Sequence, residues 1–153
     1  MIPTLHDRPR RGVAYTRRPG AYAVALGRGA RAGQILLTET DEVQLPGGGI
    51  DPGESPLPAL AREMREETGH ACRVLRRIGA FRRFVWLPDY GMEAEKVCHL
   101  YLAVAGPRLG SPSEPRHRAL WLPLRDAAAR LGPAWDVPPL RRVLRQSRPS
   151  NRK

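Results

Sequence analysis

"GGIDPGESPLPALAREMREETGH", residues 48–70, decides how the rest of the chain is read. Its first part belongs to "EVQLPGGGIDPGESP" (42–56), where the density of Gly and Pro excludes regular structure and predicts a loop folded closely back on itself. Ser55 stands as the N-cap of a helix whose first residue is Pro56, a position where the missing N–H does no harm. Gly69 stands where a helix is stopped by a residue in the left-handed conformation. On a wheel of 100° per residue with Leu57 at zero, Leu60, Ala61, Met64 and Thr68 fall within about 60° of it and form the predicted buried stripe. Glu66, Glu63 and Glu67 fall at about 180°, 240° and 280°, sharing one edge beside that stripe.

Three glutamates on one edge are unexpected in a chain of formal charge +11. Like charges three or four residues apart cost about 0.2–0.5 kcal/mol each, and Arg62, one turn before Glu66, offsets part of this. So small a penalty does not demand a function, and the helix alone reads first as a solvated acidic face. The preceding loop changes the weighting. From Gly48, five residues lead to Glu54 and seven more to Arg62; then follow Glu63, Met64, Arg65, Glu66, Glu67, Thr68 and Gly69. The pattern is G-x5-E-x7-R-E-U-x-E-E-x-G, with U apolar. A chance match to its fixed positions is on the order of 10⁻⁸ per starting point at average residue usage. In this pattern the chain resembles the Nudix hydrolases, whose signature closes with one further aliphatic position. Here that position is His70, predicted just past the helix stop at the entry to the next strand, where its part is packing and not catalysis.

The resemblance implies divalent-metal-dependent hydrolysis of a phosphoanhydride. Such chemistry must bring water to a phosphorus shielded by negative oxygens, and a divalent cation neutralises the oxygens and acidifies the water. Magnesium prefers oxygen donors, which is what glutamates on a helix edge supply. Carried onto matching residues, the family implies that Glu63, Glu66 and Glu67 bind Mg2+ or Mn2+. Glu54 joins them from the loop, and Gly48 supplies a backbone carbonyl. Arg62 resembles the arginine that orients a neighbouring glutamate, and is otherwise a surface ion pair. The general base is Glu63 or one of the later candidates Glu93, Glu95 and Glu114. An electropositive rim would draw in a polyphosphate substrate. Its candidates are Arg82 and Arg83, with Arg17 and Arg18 just before the first strand; Glu95 and Tyr90 complete the expected substrate contacts, and Phe84, Trp86 and Tyr90 are the aromatics able to stack a base or sugar.

Outward from this core, "GAYAVALG" and "QILLTET" are short apolar strands joined by a Gly-containing turn. "CRVLRRIGAFRRFVWLP", "EKVCHLYLAVAG" and "ALWLP" read as further strands, and "GPRLGSPSEPRHR" as a loop. "LRDAAARLG" and "PPLRRVLRQ" read as closing helices. Strands with helices between and after them suggest a mixed α/β layered domain. The family likeness extends over about residues 20–130 and implies an α/β/α sandwich with a mixed β-sheet. We expect one domain at 19–146, a basic lead at 1–18 that is flexible at its start, and a disordered basic tail at 147–153.

Composition bounds the alternatives. The chain has 153 residues, 41% hydrophobic and 27% charged, as in a globular domain. Its apolar runs fall short of the roughly 18 residues a membrane span needs, and the N-terminus lacks the pattern of a secretory signal, so cytoplasmic is the expected location. Cys72 and Cys98 fit no zinc spacing and are expected to be reduced and partly buried. Of the 26 Lys and Arg, 24 are arginine, concentrated toward the ends. Basic ends can contact nucleic acid through phosphates, yet the aromatics that a stacking surface interleaves with charge are missing there apart from Tyr15. The leading expectation is a pyrophosphohydrolase acting on a nucleoside diphosphate linked to another moiety, of the ADP-ribose, nucleotide-sugar or nucleoside triphosphate type. The alternative is a catalytically weak Nudix-fold protein binding nucleotide or RNA through its basic surface. Deleting 141–153 separates them, leaving hydrolysis intact only in the first. Monomer and homodimer are both open.

Overall fold

A computed structural model describes residues 2–4, 7–133 and 136–146. Seven strands form one mixed sheet: β1 (Thr16–Leu26), β2 (Gln34–Glu39), β3 (Val43–Gln44), β4 (Gly47–Gly49), β5 (His70–Leu87), β6 (Met92–Arg108) and β7 (Arg118–Pro123). Three helices accompany it: α1 (Pro56–Thr68), α2 (Leu124–Arg130) and α3 (Val137–Gln146). The sheet runs β3-β2-β1-β6-β5, with β4 against β1 and β7 against β2. β1 and β6 are parallel, from Thr16 opposite Ala94 to Leu26 opposite Val104, and the other strand pairings are antiparallel.

The period-2 alternation of β1 makes the sandwich. Ala21, Ala23 and Ala25 face α1, where they are fully buried and pack with Leu60, Met64, Tyr101 and Ala103. Tyr22, Val24 and Leu26 face α2 and α3, packing with Ile35, Leu37, Ala127, Leu140 and Val143. Alanines let α1 lie close to the sheet, and each fully buried Leu or Met side chain contributes about 1.5–3 kcal/mol by leaving water. The expected α/β/α sandwich is therefore the observed fold. Cys72 and Cys98 are free thiols, half-buried and buried. Among the described residues no helix is long and apolar enough to cross a membrane.

Four local expectations are corrected. The stretch 42–56 is not devoid of regular structure, since it contains β3 and β4. Its glycines form a strand because the partner backbone comes too near for side chains: a Cβ on Gly47, whose φ is 141°, would stand 2.2 Å from the Ala21 carbonyl oxygen. Second, the buried stripe of α1 is turned from Leu57 toward the glutamates. Leu57 and Ala61 are exposed, while Ala59, Leu60, Met64, Glu67 and Thr68 are buried. Third, β1 begins at Thr16, so Arg17 and Arg18 lie within it and pair with Glu95 and Lys96 of β6. Fourth, the expected closing helix is present as α3 and buries Leu140 and Val143, so it is the deletion of 141–153 that is corrected: cutting from 141 would remove part of the core and not only a basic end. The expected tail at 147–153 lies outside the described residues.

Helix α1 has the predicted ends. Ser55 is its N-cap in extended conformation, without a side-chain cap bond, and Pro56 follows it. Gly69 closes it at φ 73°, donating its N–H to the Arg65 carbonyl. His70 opens β5 in the packing role expected of it: it is 8% exposed, its Nδ1 lies 3.0 Å from the Gly106 carbonyl, and its ring meets Trp121 edge-on at 5.7 Å.

Candidate active site

Pairing of β4 with β1 carries three glycine residues past one edge of α1. At that edge Gly47 N–H donates to Glu67 Oε2 at 3.3 Å. One residue on, Gly48 packs against Glu63 so closely that a Cβ there would stand 2.7 Å from the carboxylate. Beside this contact opens a cleft of about 490 Å³, lined by Gly47, Gly48, Gly49 and Glu67 on one side. Arg83 and Lys96, opposite each other on β5 and β6, also line it, together with Tyr22, Arg116, His117 and Asp136.

Arg62 organises the acidic residues. Its Nε and one terminal nitrogen grip Glu54 at 2.9 and 2.8 Å, and the latter nitrogen also donates to the Gly49 carbonyl at 3.0 Å. The other terminal nitrogen reaches Glu63 at 3.0 Å and Glu66 at 3.2 Å. A planar fork of donors suits this many-sided contact, which a lysine could not reproduce. Arg62 hydrogen bonding, with the Asp51 N–H, holds the Glu54 carboxyl down at about 2. The guanidinium itself is raised, chiefly by Glu54.

Glu67 lies in a different environment. Only 7% of its surface is exposed, and burial, aided by the charges of Glu63, Glu114 and Glu66 against the Gly47 contact, pushes it up to about 9. Burial also raises Glu63, although Arg62 opposes the shift. The helix edge thus carries two carboxylates, Glu63 and Glu67, whose ionisation the surrounding protein disfavours. Among the described residues no three His, Cys, Asp or Glu side chains converge on one point to cage an ion; Arg62 draws Glu63 and Glu66 to itself while Glu67 turns to Gly47.

Other expected site residues are dispersed. Consecutive residues of a strand point to opposite faces, and Arg83 lines the cleft while Arg82 bonds Thr4 and Glu95 and lies over Phe84. Glu95 is held by Arg17 and Arg82, and Glu93 by Arg10; none of these lines the cleft. Glu114 is near α1, its N–H donating to the Glu66 carbonyl at 2.9 Å. Tyr90, with Arg18 4.7 Å above its ring, borders a second hollow of about 480 Å³ that Glu54, Glu63 and Gly49 also line.

Sequence reasoning missed Lys96, Asp136 and Tyr22. Lys96 is lowered by burial and by Arg83. Asp136, accepting the Leu45 N–H at 3.0 Å, is raised by burial to about 6. Tyr22 is raised by burial. Lys96 did carry a signal, being one of two lysines among so many arginines; Tyr22 and Asp136 carried none, because Tyr22 reaches the cleft through the sheet and Asp136, just before α3, through its long-range bond to Leu45.

Residues 16–145 match the NUDIX domain. Over 67 residues the chain is 40% identical to a putative 8-oxo-dGTP diphosphatase of Bacillus subtilis (strain 168), covering 42% of this chain and 43% of that protein. Over 87 residues it is 36% identical to the CMP-5'-(N-acetyl-N-hydroxy-3-aminopropyl)phosphonate hydrolase of Streptomyces rubellomurinus (strain ATCC 31215), covering 56% of this chain and 39% of that one. The chain thus spans less than half the length of these relatives. A NUDIX hydrolase from Nitrosomonas europaea shares the fold, with a TM-score of 0.68 at 18% identity over 87% of this chain and 92% of its own. Since the matched span opens on the first residue of β1, ends inside α3 and encloses the whole glutamate helix, the chain belongs to the NUDIX domain family.

Proposed function

We propose that the protein hydrolyses a phosphoanhydride bond in a nucleoside diphosphate linked to another moiety, with a divalent cation, Mg2+ or Mn2+, at the glutamate edge of α1. The observation that carries this reading is Glu67: a carboxylate buried at the wall of a cleft, beside Glu63 and Glu66, where burial and like charge oppose its ionisation. A bound cation reverses that balance. The donor set fits a hard cation, being oxygen throughout. The space a Cβ on Gly48 would fill is where the Glu63 carboxylate rests against β4. Glu63, Glu66 and Glu67 would hold the cation, with Glu54 and the Gly48 carbonyl as further donors. When bound, it supplies neutralisation of the phosphate oxygens and a more acidic water.

The chain's own residues do the rest. Arg62 fixes Glu63 and Glu66 relative to each other and to the β4 loop. Arg83 and Lys96 present cations to the substrate's negative groups within the cleft. Tyr90 and Arg18 offer a stacked surface for a base or sugar on the far side of Gly49. The proton released by the attacking water passes to a carboxylate whose charge acts on Glu67, Glu63 on the helix or Glu114 beside it; Glu93 and Glu95 neither line the cleft nor act on Glu67. The substrates are of the ADP-ribose, nucleotide-sugar or nucleoside triphosphate type. The names of the two relatives, one acting on 8-oxo-dGTP and one on a CMP-linked phosphonate, support a nucleotide.

The test is a panel of these nucleotides with Mg2+ or Mn2+, following release of phosphate or pyrophosphate, with Glu67→Gln alongside. We expect turnover of at least one class and a fall of about a hundredfold in the variant, whose folding is retained. Equal rates for the two proteins on every substrate turned over would overturn the role given to Glu67.

A further inference from the structure

The departure of His70 from the family signature leads to a second site. His70 forms part of the wall of a pocket of about 590 Å³ that shares no lining residue with the cleft. Four arginines line it and no acid does: Arg28 and Arg31 from the turn between β1 and β2, Arg108 at the end of β6, and Arg118 at the start of β7. Trp121 lies among them, half-buried, with the Arg31 guanidinium 4.9 Å from its ring centre and the His70 ring edge-on to it.

Gathering four guanidiniums is unfavourable by the same Coulomb reasoning that applies to the glutamates. Two of them are already engaged, Arg118 with Glu39 and Arg31 with Gln34. Among the described residues, the guanidiniums of Arg28 and Arg108 have no hydrogen-bond or ion-pair partner. A guanidinium fork is shaped for phosphate oxygens, and an aromatic–arginine stack offers a flat surface for a base. The position where the family has an aliphatic residue holds a histidine whose Nδ1–H donates to the Gly106 carbonyl and so fixes the ring that supports Trp121.

We propose that this pocket, on the α1 side of the sheet, is a second, non-hydrolytic site for a nucleoside phosphate, with Arg28 and Arg108 taking the phosphate and the Trp121–Arg31 stack taking the base. Its volume suits a single nucleotide and not a folded partner. The site does not rest on the hydrolytic reading and fails separately from it.

AMP is the probe, because it contains no anhydride to be cleaved. Calorimetric titration of the full chain in Mg2+ is expected to give two AMP equivalents, one in each site. Arg28→Ala/Arg108→Ala is expected to lose one equivalent, or to bind it at least about tenfold more weakly, while hydrolysis of the best panel substrate stays within about twofold, since neither residue borders the cleft. His70→Leu, which restores the aliphatic of the signature, is expected to weaken the same equivalent and spare hydrolysis. The double variant binding AMP as the parent does would overturn the site. Inorganic phosphate binding there as tightly as AMP would overturn the part given to the base. A short single-stranded oligonucleotide binding there more than tenfold tighter than AMP would overturn a mononucleotide in favour of nucleic acid.

Discussion

Gly48→Ala isolates the geometry of the glutamate edge from the stability of the fold. The φ of Gly48 lies outside the left-handed region, so an alanine has an allowed backbone there. Its methyl, however, would stand 2.7 Å from the Glu63 carboxyl carbon and Oε1. Ordinary contact requires the carboxylate to retreat by about 0.7–1 Å. That displacement breaks the 3.0 Å bond from Arg62 to Glu63, while the pairing of β4 with β1 is untouched. A misplacement of this size in a catalytic array lowers turnover by about a hundredfold, whereas moving the end of one flexible side chain changes stability by no more than about 1 kcal/mol. The assay is hydrolysis of the best panel substrate beside thermal melting, with the cycle completed by Glu63→Gln. If the methyl acts through Glu63, the double variant is scarcely slower than the slower single one. Gly47→Ala is the contrast: its methyl would meet the Ala21 carbonyl oxygen at 2.2 Å in a left-handed backbone, and we expect the fold itself to lose more than about 2 kcal/mol. Wild-type turnover in Gly48→Ala would refute this reasoning; so would activity lost in step with melting temperature.

Two further perturbations test other parts of the structure. The Asp136 carboxyl is raised by burial to about 6 from 3.8, so the folded chain holds a proton the unfolded chain releases; its contribution is complete below the unfolded value and is lost as pH rises through 6. Asp136→Asn keeps an acceptor for the Leu45 N–H and should therefore be more stable than the parent at pH 7, by at most about 3 kcal/mol, the difference vanishing toward pH 4; parallel melting curves across that range would contradict the assignment. Val143→Ala, on the buried face of α3 at 3% exposure, should lower stability by about 2 kcal/mol in chemical unfolding, while Arg141→Ala should change it little. Equal, negligible effects would mean that α3 does not contribute to the core.

How much of this was legible depended on whether the information was local. The ends of α1 were readable because Pro56 and Gly69 act through their own backbone preferences, and the central part of β1 was readable because "GAYAVALG" is a short apolar run bounded by glycines. The three-residue strand β4 was not, because Gly47–Gly49 pair only when the β1 backbone is beside them; a run of glycine carries no strand preference of its own. The rotation of α1 was hidden for a related reason. Hydrophobicity centred the stripe on Leu57 and left Glu67 at its edge, yet with Leu60 and Met64 packed on Ala21, Ala23 and Ala25 it is Glu67 that is buried and Leu57 that is exposed. At the candidate site, spacing along one helix revealed Glu63, Glu66, Glu67 and Arg62 together. Arg82 and Arg83 could not be separated without the strand's orientation; Lys96 becomes a neighbour of the cleft only through the β5–β6 register, and Asp136 only through its bond to Leu45.

Burial of Glu67 is where fold and proposed chemistry meet. Leu60 and Met64 of α1 fill the alanine face of β1, and Glu67 is buried beside them against Gly47 of β4, where a leucine would avoid the desolvation that drives the glutamate carboxyl up to about 9. The exposed Leu57 on the same helix shows that the sequence holds an apolar residue outside while burying a carboxylate. Both placements run against the hydrophobic driving force, and one rotation of α1 produces both. That rotation also brings Glu63 against Gly48 and lets Arg62 span Glu54, Glu63 and Glu66. A helix turned back by about 60° would bury Leu57 and withdraw Glu67 from the cleft, so the stability forgone at Leu57 and Glu67 is what a carboxylate at the cleft wall requires.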